Sequence, residues 1–125
     1  MIKWFERHNK ISWIITILIA AFIFYISSLS LTGGGKGGWY WQPVAYHLTI
    51  FFLLSFFLLI SITKGKYRKL ILIAVLIAII YAIIDEIHQS FTPHRDASIF
   101  DVMTDTIGIL ISLVFYSLIL HFRKK

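Results

Sequence analysis

The sequence predicts an all-α integral membrane protein, a four-helix bundle built from two antiparallel transmembrane hairpins. Two observations predict this fold: 58% of the 125 residues are hydrophobic and only 14% are charged, and the apolar residues fall into four long runs. The mean hydropathy of +0.82 lies far outside the range of soluble globular domains. We therefore expect one transmembrane domain over residues 1–125.

Three of the four spans are long apolar runs, because a transmembrane helix needs about 20 such residues. These spans are predicted at residues 11–31, 44–63 and 99–120. The remaining run, from Leu70 to Ile84, is too short to cross the hydrocarbon core. A span over residues 70–91 must therefore continue through Asp85 and Glu86. The alternative is a re-entrant or interfacial segment that ends at Ile84.

The distribution of basic residues predicts the orientation. Ten of the twelve Lys and Arg residues precede span one, link spans two and three, or follow span four, whereas only Lys36 and Arg95 lie on the other side. Cytoplasmic segments are enriched in Lys and Arg, so both termini are expected in the cytoplasm. A cleaved signal peptide is the alternative for the first run, which exceeds the usual length of about 7 to 15 residues and lacks a clear cleavage motif.

The composition also excludes several classes of function. Without cysteine the chain has no disulfide, thiolate nucleophile or Cys-ligated zinc. The net charge of +6 comes from short basic clusters beside apolar runs, which favours membrane lipids over nucleic acid as partners. The glycine-rich TGGGKGG segment lacks the spacing of a phosphate-binding loop. No cofactor and no nucleic-acid partner are expected.

Five of the six acidic residues fall in one short stretch, residues 81–108. Ionisable groups at membrane depth are costly and usually face the bundle interior or a wet cavity, so they are candidates for function. The rise of about 1.5 Å per residue in a helix places Asp85 and Asp105 at similar depth. The first two spans supply polar groups to the same layer: Ser27, Ser28 and His47. We therefore predict a polar pocket that opens to the outer face.

The fourth span presents its acids on one face. Asp101, Asp105 and Gly108 follow i, i+4, i+7 spacing, and the glycine permits close approach of a neighbouring helix. Asp101 also has a structural interpretation, since Ser98 followed three residues later by an acid matches a capping box. Asp105 lies too far into the helix to cap it.

The third span divides its polar residues between two faces. Asp85, His88 and Gln89 share one face, while Glu86 is rotated from it by about 100°. The short linker to the fourth span adds Arg95. The predicted binding residues are Ser27, Ser28, His47, Asp85, Glu86, His88, Gln89, Arg95, Asp101 and Asp105.

Structural roles compete with binding for these acids. A lone charge in a membrane bundle is costly whereas a paired one is tolerated, so Asp105 is expected to couple to Arg95, either directly or through His88. Asp85 and Glu86 have the alternative of being solvated acids at the end of an emerging helix.

The residues alone do not specify a reaction. The chain has no H-E-x-x-H or comparable spacing, so no metal site is predicted. Acid–base chemistry on a lipid-linked substrate is an open alternative, with Glu86 and Asp105 as the candidate catalytic groups. No nucleophile elbow or dinucleotide fingerprint is present. The prediction from the residues is a polar, ligand-binding pocket.

The stretch DEIHQSFTPHRDASIFDVMTDTIG resembles a motif of the VanZ-like family of small membrane proteins. The family pattern has an Asp-Glu pair, a Gln three residues after the Glu, an Arg, a spaced Asp, a second Asp or Asn, and a Gly. The matching residues here are Asp85, Glu86, Gln89, Arg95, Asp101, Asp105 and Gly108. Two weaker elements agree: FYISS at Phe24 to Ser28 resembles the first-span serine motif, and His47 lies where the family has a histidine.

The resemblance implies a multi-pass protein of the bacterial plasma membrane, associated with low-level resistance to the glycopeptide teicoplanin. One departure is notable, because the family's histidine is often followed by Glu and then Tyr where this chain has Ile50 and Phe51. If that Glu contributes to the site in relatives, this member is expected to bind or act differently.

Three functions therefore remain open. The leading expectation is an outer-leaflet pocket that binds a lipid-linked or lipidated envelope molecule. The first alternative is a membrane enzyme acting on a lipid headgroup, with Glu86 or Asp105 as acid or base and Arg95 holding a phosphate. The second is a structural interaction protein whose acids serve helix packing.

Overall fold

The computed structural model describes residues 1–30, 41–95 and 97–123, and this part of the chain is helical without a strand. The helices are α1 (Ile2–Arg7), α2 (Asn9–Ser28), α3 (Trp41–Thr63), α4 (Ile71–Ser90) and α5 (Ile99–Phe122), with a 3-10 turn at Arg68–Leu70. Four stretches are long and apolar enough to cross a membrane: Asn9–Ser27, Pro43–Thr63, Arg68–Ser90 and Ile99–Phe122. The predicted all-α four-helix bundle is confirmed. Residue 31, the predicted end of the first span, and Lys36 lie outside the described residues.

Helix α4 carries two carboxylates inside a helix of membrane-spanning length. It runs without a break from Ile71 to Ser90, so it does not end at Ile84 as the shorter alternative required. Asp85 and Glu86 are both 4% exposed although the helix around them is apolar. Their charges are therefore turned towards neighbouring helices, as expected for ionisable groups at membrane depth.

The helices are not arranged as a square. Helix α3 packs against α2, α4 and α5, and α4 packs against α2, α3 and α5, whereas α2 and α5 make no contact in the described part of the chain. The α2 and α5 helices thus lie on opposite sides of the α3–α4 pair. As a consequence, each face of α4 has a different partner.

Small residues bring the helices together. Three alanines at i, i+4 spacing on α4, Ala74, Ala78 and Ala82, are fully buried. On α5, a β-carbon added at Gly108 would collide with the backbone carbonyl oxygen of Leu48 on α3. Small residues of this kind let helix backbones approach closely in membranes. The close approach predicted for Gly108 is therefore present, and α3 is the helix that makes it.

The outer surface of the bundle is rich in large apolar side chains. Leu18, Leu72, Ile80 and Val114 are each more than half exposed. A soluble protein rarely exposes apolar patches of this extent, but acyl chains solvate them well. The surface therefore agrees with four helices that contact lipid.

The end of the bundle that holds the termini is basic, and we call it the basic end. The short helix α1, which the sequence reasoning did not foresee, brings its charges to the loop after α3 and to the end of α5. A cavity of about 570 Å³ there is lined by Lys3, Glu6, Arg7, Asn9, Lys64, Gly65, Lys66, Tyr67 and Arg123. Glu6 accepts a hydrogen bond from Arg123 Nη1 at 2.6 Å. Four crossing helices put both termini on this side.

Candidate functional site

Polar side chains from all four long helices meet at the opposite end of the bundle, which we call the acidic end. They form two separate groups on two faces of α4. The α2 network consists of Ser27, Asp85, Gln89 and Arg95. The histidine–carboxylate cluster consists of His47, Glu86 and Asp105.

In the α2 network, both carboxylate oxygens of Asp85 accept hydrogen bonds. Ser27 Oγ donates to Asp85 Oδ1 at 2.7 Å, and Gln89 Nε2 donates to Asp85 Oδ2 at 2.9 Å. Asp85 and Gln89 lie one turn apart on α4, and Ser27 lies at the end of α2. A buried acid with both oxygens hydrogen-bonded is well compensated. Asp85 therefore links α2 to α4.

Arg95 extends this network to the end of α2. Its Nη1 donates to Gln89 Oε1 at 3.2 Å, its Nη2 donates to the Ile26 carbonyl at 2.8 Å, and its Nε donates to the Leu29 carbonyl at 3.4 Å. The last carbonyls of a helix lack intrahelical partners, and a cation at this position also complements the helix dipole. Arg95 thus caps α2 from the α4–α5 linker.

His88 and Ser28 form the rim of the α2 network. The Ser28 hydroxyl donates to the Phe24 carbonyl at 2.7 Å, and His88 Nε2 lies 2.9 Å from Ser28 Oγ. Because the hydroxyl proton is already donated, the His88 ring nitrogen is the donor in the second bond. The imidazole also stacks on the Phe24 ring, with centroids 4.5 Å apart. These contacts explain His88 as a residue that positions α2 against α4.

The histidine–carboxylate cluster lies on the other face of α4, against α3 and α5. His47 Nδ1 is 2.9 Å from Asp105 Oδ1, with His47 5% exposed and Asp105 fully buried. Gly108, one turn after Asp105, sets the close spacing of α3 and α5 at this level. The bond between the two side chains therefore depends on a backbone approach that only glycine permits.

Glu86 completes the cluster but is only partly hydrogen-bonded. Its Oε2 accepts the backbone N–H of Ser98 at 2.9 Å. Its Oε1, like Asp105 Oδ2, is buried and has no hydrogen-bond partner among the described residues. One potential ligand atom from each of His47, Glu86 and Asp105 lies within 4.8 Å of the others. The cluster thus combines an imidazole, two carboxylates and unused lone pairs.

The prediction that Asp105 couples to Arg95, directly or through His88, was wrong. Asp105 pairs with His47, while Arg95 and His88 are committed to α2. The reason is the arrangement of the helices, because α2 and α5 lie on opposite sides of the α3–α4 pair. A one-dimensional helical-wheel argument places residues on faces but does not say which helix each face meets.

Asp101 is the predicted site residue that the structure leaves outside both groups. Ser98 does cap α5, accepting the N–H of Phe100 at 3.2 Å. In a capping box, a side chain in the first turn would accept the N–H of the cap residue; here Glu86 on α4 accepts the Ser98 N–H instead. The side chain of Asp101 has no hydrogen-bond partner within the described ranges. The capping interpretation of Asp101 is therefore wrong.

A groove lies between α4 and α5 on the lipid-facing surface, and Glu86 is the member of the cluster that lines it. Its volume is about 250 Å³, and Glu86 is the acid among the described residues of its lining. The lining residues are Ile83, Glu86, Ile87, Ser90, Ala97, Ser98, Ile99 and Val102. Of these, Ile87 is 54% and Ile99 is 82% exposed. The groove is thus an apolar channel with a carboxylate among its lining residues.

The polar residues that the sequence reasoning missed include Tyr46 and Glu6. The hydroxyl of Tyr46 is buried at the acidic end and has no hydrogen-bond partner in the described part of the chain, and its ring packs edge-on against His47 at 5.4 Å. Its position beside the histidine was the available signal. Glu6 was overlooked because it lies outside the acidic stretch, although it organises the basic end.

The comparisons with known proteins agree with this architecture. Neither curated proteins nor solved structures give a significant match to the chain. A family model described as VanZ/LLP1 matches residues 4–120. That range includes the first three spans, the fourth span up to residue 120, and every residue of the α2 network and of the histidine–carboxylate cluster. The chain therefore belongs to the VanZ/LLP1 family of membrane proteins.

Proposed function

We propose that the acidic end recognises a lipidated or lipid-linked envelope molecule in the outer leaflet of a bacterial plasma membrane and so raises tolerance to teicoplanin-type glycopeptides. The groove between α4 and α5 is the observation that carries this proposal. It joins apolar walls, which suit an acyl chain, to one carboxylate, which suits a polar headgroup.

The walls of the groove belong to the lipid-exposed surface. Ile87 and Ile99 project from helices that cross the bilayer, so a chain can enter sideways from the leaflet without passing through water. Removing apolar surface from water stabilises an association by about 25 cal/mol per Å², but a chain already in lipid gains little from that effect. Selectivity then comes from packing and from the headgroup.

The headgroup meets a hydrogen-bond acceptor. Glu86 Oε1 lacks a hydrogen-bond partner among the described residues, so a ligand hydroxyl, amide or amine that donates to it would satisfy a buried group. Leaving such a group unpaired costs about 1–3 kcal/mol. This gain is available only to molecules that carry both a chain for the groove and a donor at the correct depth.

The orientation is part of the proposal and rests on the basic end. The basic clusters predict that this end is cytoplasmic, which puts the groove in the outer leaflet. Reporter fusions after Lys125 and at Lys36 should report opposite sides of the membrane. A common location for both would contradict the orientation.

The test fills the groove and leaves the fold unchanged. In a susceptible Gram-positive host, expression of the chain should raise tolerance to teicoplanin more than to vancomycin, because only teicoplanin carries an acyl chain. Ile87→Trp should abolish the gain by occupying the groove. Ile80→Trp is the matched control, since Ile80 lies two turns away on the same face of α4 and is equally exposed, at 54%.

Membrane abundance must be equal for the comparison to hold. Full tolerance with Ile87→Trp at normal abundance would contradict a role for the groove. Loss of tolerance with both tryptophan variants would indicate a general effect on the lipid-facing surface. If wild type gives no tolerance, the resistance role does not apply to this chain.

An enzyme is the second candidate, and the His47–Asp105 hydrogen bond favours it. A carboxylate that orients an imidazole is the arrangement used for general-base catalysis, and Glu86 lies close enough to act as a second acid. Turnover of a labelled polyprenyl or phospholipid substrate by purified protein, lost in Asp105→Asn, would support this function. Absence of turnover across both substrate classes would leave binding as the function.

A further inference from the structure

Three buried side chains at the acidic end have the composition of a cation site. His47, Glu86 and Asp105 come from α3, α4 and α5, and each has at most 5% of its surface exposed. A potential ligand atom from each lies within 4.8 Å of those of the other two. His47 and Glu86 are 39 positions apart along the chain, and Glu86 and Asp105 are 19 apart. The site therefore has no short sequence motif.

Neither carboxylate is paired with a Lys or Arg among the described residues, and only Asp105 has the ring of His47 as a partner. The ion pairs of the described residues are His47 with Asp105 and Glu6 with Arg123, so neither Glu86 nor Asp105 contacts a Lys or Arg there. Arg95, at the same end of the bundle, is committed to α2. Two close carboxylates in an apolar bundle are costly unless a cation or a proton neutralises them.

Each carboxylate also keeps one oxygen free to bind. Glu86 Oε2 and Asp105 Oδ1 are engaged by the Ser98 N–H and by His47, whereas Glu86 Oε1 and Asp105 Oδ2 are buried without a partner. The engaged oxygens hold the side chains in place. A bound cation would satisfy these buried free oxygens and offset the cost of the two charges.

We propose that His47, Glu86 and Asp105 bind one divalent transition-metal ion of the Zn²⁺ type. Imidazole nitrogen combined with carboxylate oxygen suits Zn²⁺, whereas Ca²⁺ and Mg²⁺ need six or more ligands that are mostly oxygen. Three protein ligands leave a coordination position open, as in sites that bind an exogenous group. Glu86 belongs both to this trio and to the lining of the groove.

The ion would use the same free oxygen of Glu86 that the proposed headgroup would use, but the test of the metal site needs neither antibiotic nor substrate. Full-length protein in detergent is stripped with a chelator, and Zn²⁺ binding is followed by titration calorimetry and by metal content. We expect one Zn²⁺ per chain, at least tenfold weaker binding of Mg²⁺, and a higher melting temperature with Zn²⁺.

Variants locate the ion. Glu86→Gln keeps an acceptor for the Ser98 N–H. The two cluster variants, Glu86→Gln and Asp105→Asn, should each weaken Zn²⁺ binding at least tenfold. Asp85→Asn, at the adjacent position in the α2 network, is the matched control and should bind as wild type does. The proposal would be overturned if folded wild type did not bind Zn²⁺. It would also be overturned if both cluster variants bound Zn²⁺ as wild type does, because the ion would then be at adventitious sites such as the surface histidines.

Discussion

Adjacent acids on α4 have opposite surroundings. Asp85 faces α2, and both of its oxygens accept hydrogen bonds. Glu86 faces α3 and α5, and one of its oxygens has no partner within the described residues. The two side chains have the same charge, the same 4% exposure and the same depth. They differ in the helices that they meet and in the hydrogen bonds that those helices and the linker supply.

The difference separates a structural role from a functional one. A buried polar network in which every group is paired rigidifies a fold, and the α2 network does this by tying α2 to α4 and to the linker. A buried carboxylate with a free oxygen reduces stability and is retained where it serves binding or chemistry. The same motif, Asp-Glu, therefore supplies one residue to the scaffold and one to the site.

The largest expected effect comes from Arg95. Arg95→Ala removes donors from the Ile26 and Leu29 carbonyls and from Gln89, and hydrogen bonds to charged groups contribute about 1.5–3 kcal/mol each. Because Arg95 is partly exposed, we expect the free energy of unfolding to fall by about 2–3 kcal/mol. Lys69→Ala, a change to an exposed cation near the basic end, is the control. Equal stability of the two variants in a detergent unfolding titration would contradict the capping role.

Gly108→Ala tests the spacing of α3 and α5. The added methyl group meets the Leu48 carbonyl, and overpacking of this kind costs about 1–3 kcal/mol. The variant should also weaken Zn²⁺ binding, because separating the helices lengthens the His47–Asp105 distance. Ile107→Ala, on the lipid-facing side of the same helix, should leave Zn²⁺ affinity unchanged. Normal stability and affinity in Gly108→Ala would argue against the close approach.

Double-mutant cycles test whether the two groups are separate. Asp105→Asn with His47→Ala should show a coupling energy of about 0.5–3 kcal/mol, the range for residues in contact. Asp105→Asn with Arg95→Ala should be additive within about 0.5 kcal/mol. If Asp105 and Arg95 were coupled as strongly as Asp105 and His47, the α2 network and the histidine–carboxylate cluster would be one network, which would contradict their separate roles.

Much of this arrangement is predictable from helical spacing. The different faces of Asp85 and Glu86, the shared face of Asp85, His88 and Gln89, and the close approach at Gly108 all follow from a period of 3.6 residues. Three of the four spans follow from the lengths of the apolar runs, whereas the span through Asp85 and Glu86 left a shorter segment as an alternative. These are local properties of the sequence.

The pairing of faces is not local. Asp105 was assigned to the wrong partner because the sequence does not reveal that α3 and α4 lie between α2 and α5. The Ser98 N–H donates to Glu86 instead of Asp101 because the start of α5 lies against α4, which is also a contact between helices. The grouping of His47, Glu86 and Asp105 has no motif in the sequence because its members come from three helices. Each miss concerns a contact between helices.

The most direct test of the central distinction is a side-by-side melting experiment on Asp85→Asn and Glu86→Gln, with metal removed by chelator. Asparagine offers one acceptor where Asp85 uses two, so its melting temperature should fall, with a loss of about 1–3 kcal/mol. Glutamine keeps the acceptor for Ser98 and removes a charge beside Asp105, so Glu86→Gln should melt at or above the wild-type temperature. The opposite order, with Glu86→Gln the less stable variant, would contradict the assignment of Asp85 to the scaffold and Glu86 to the site.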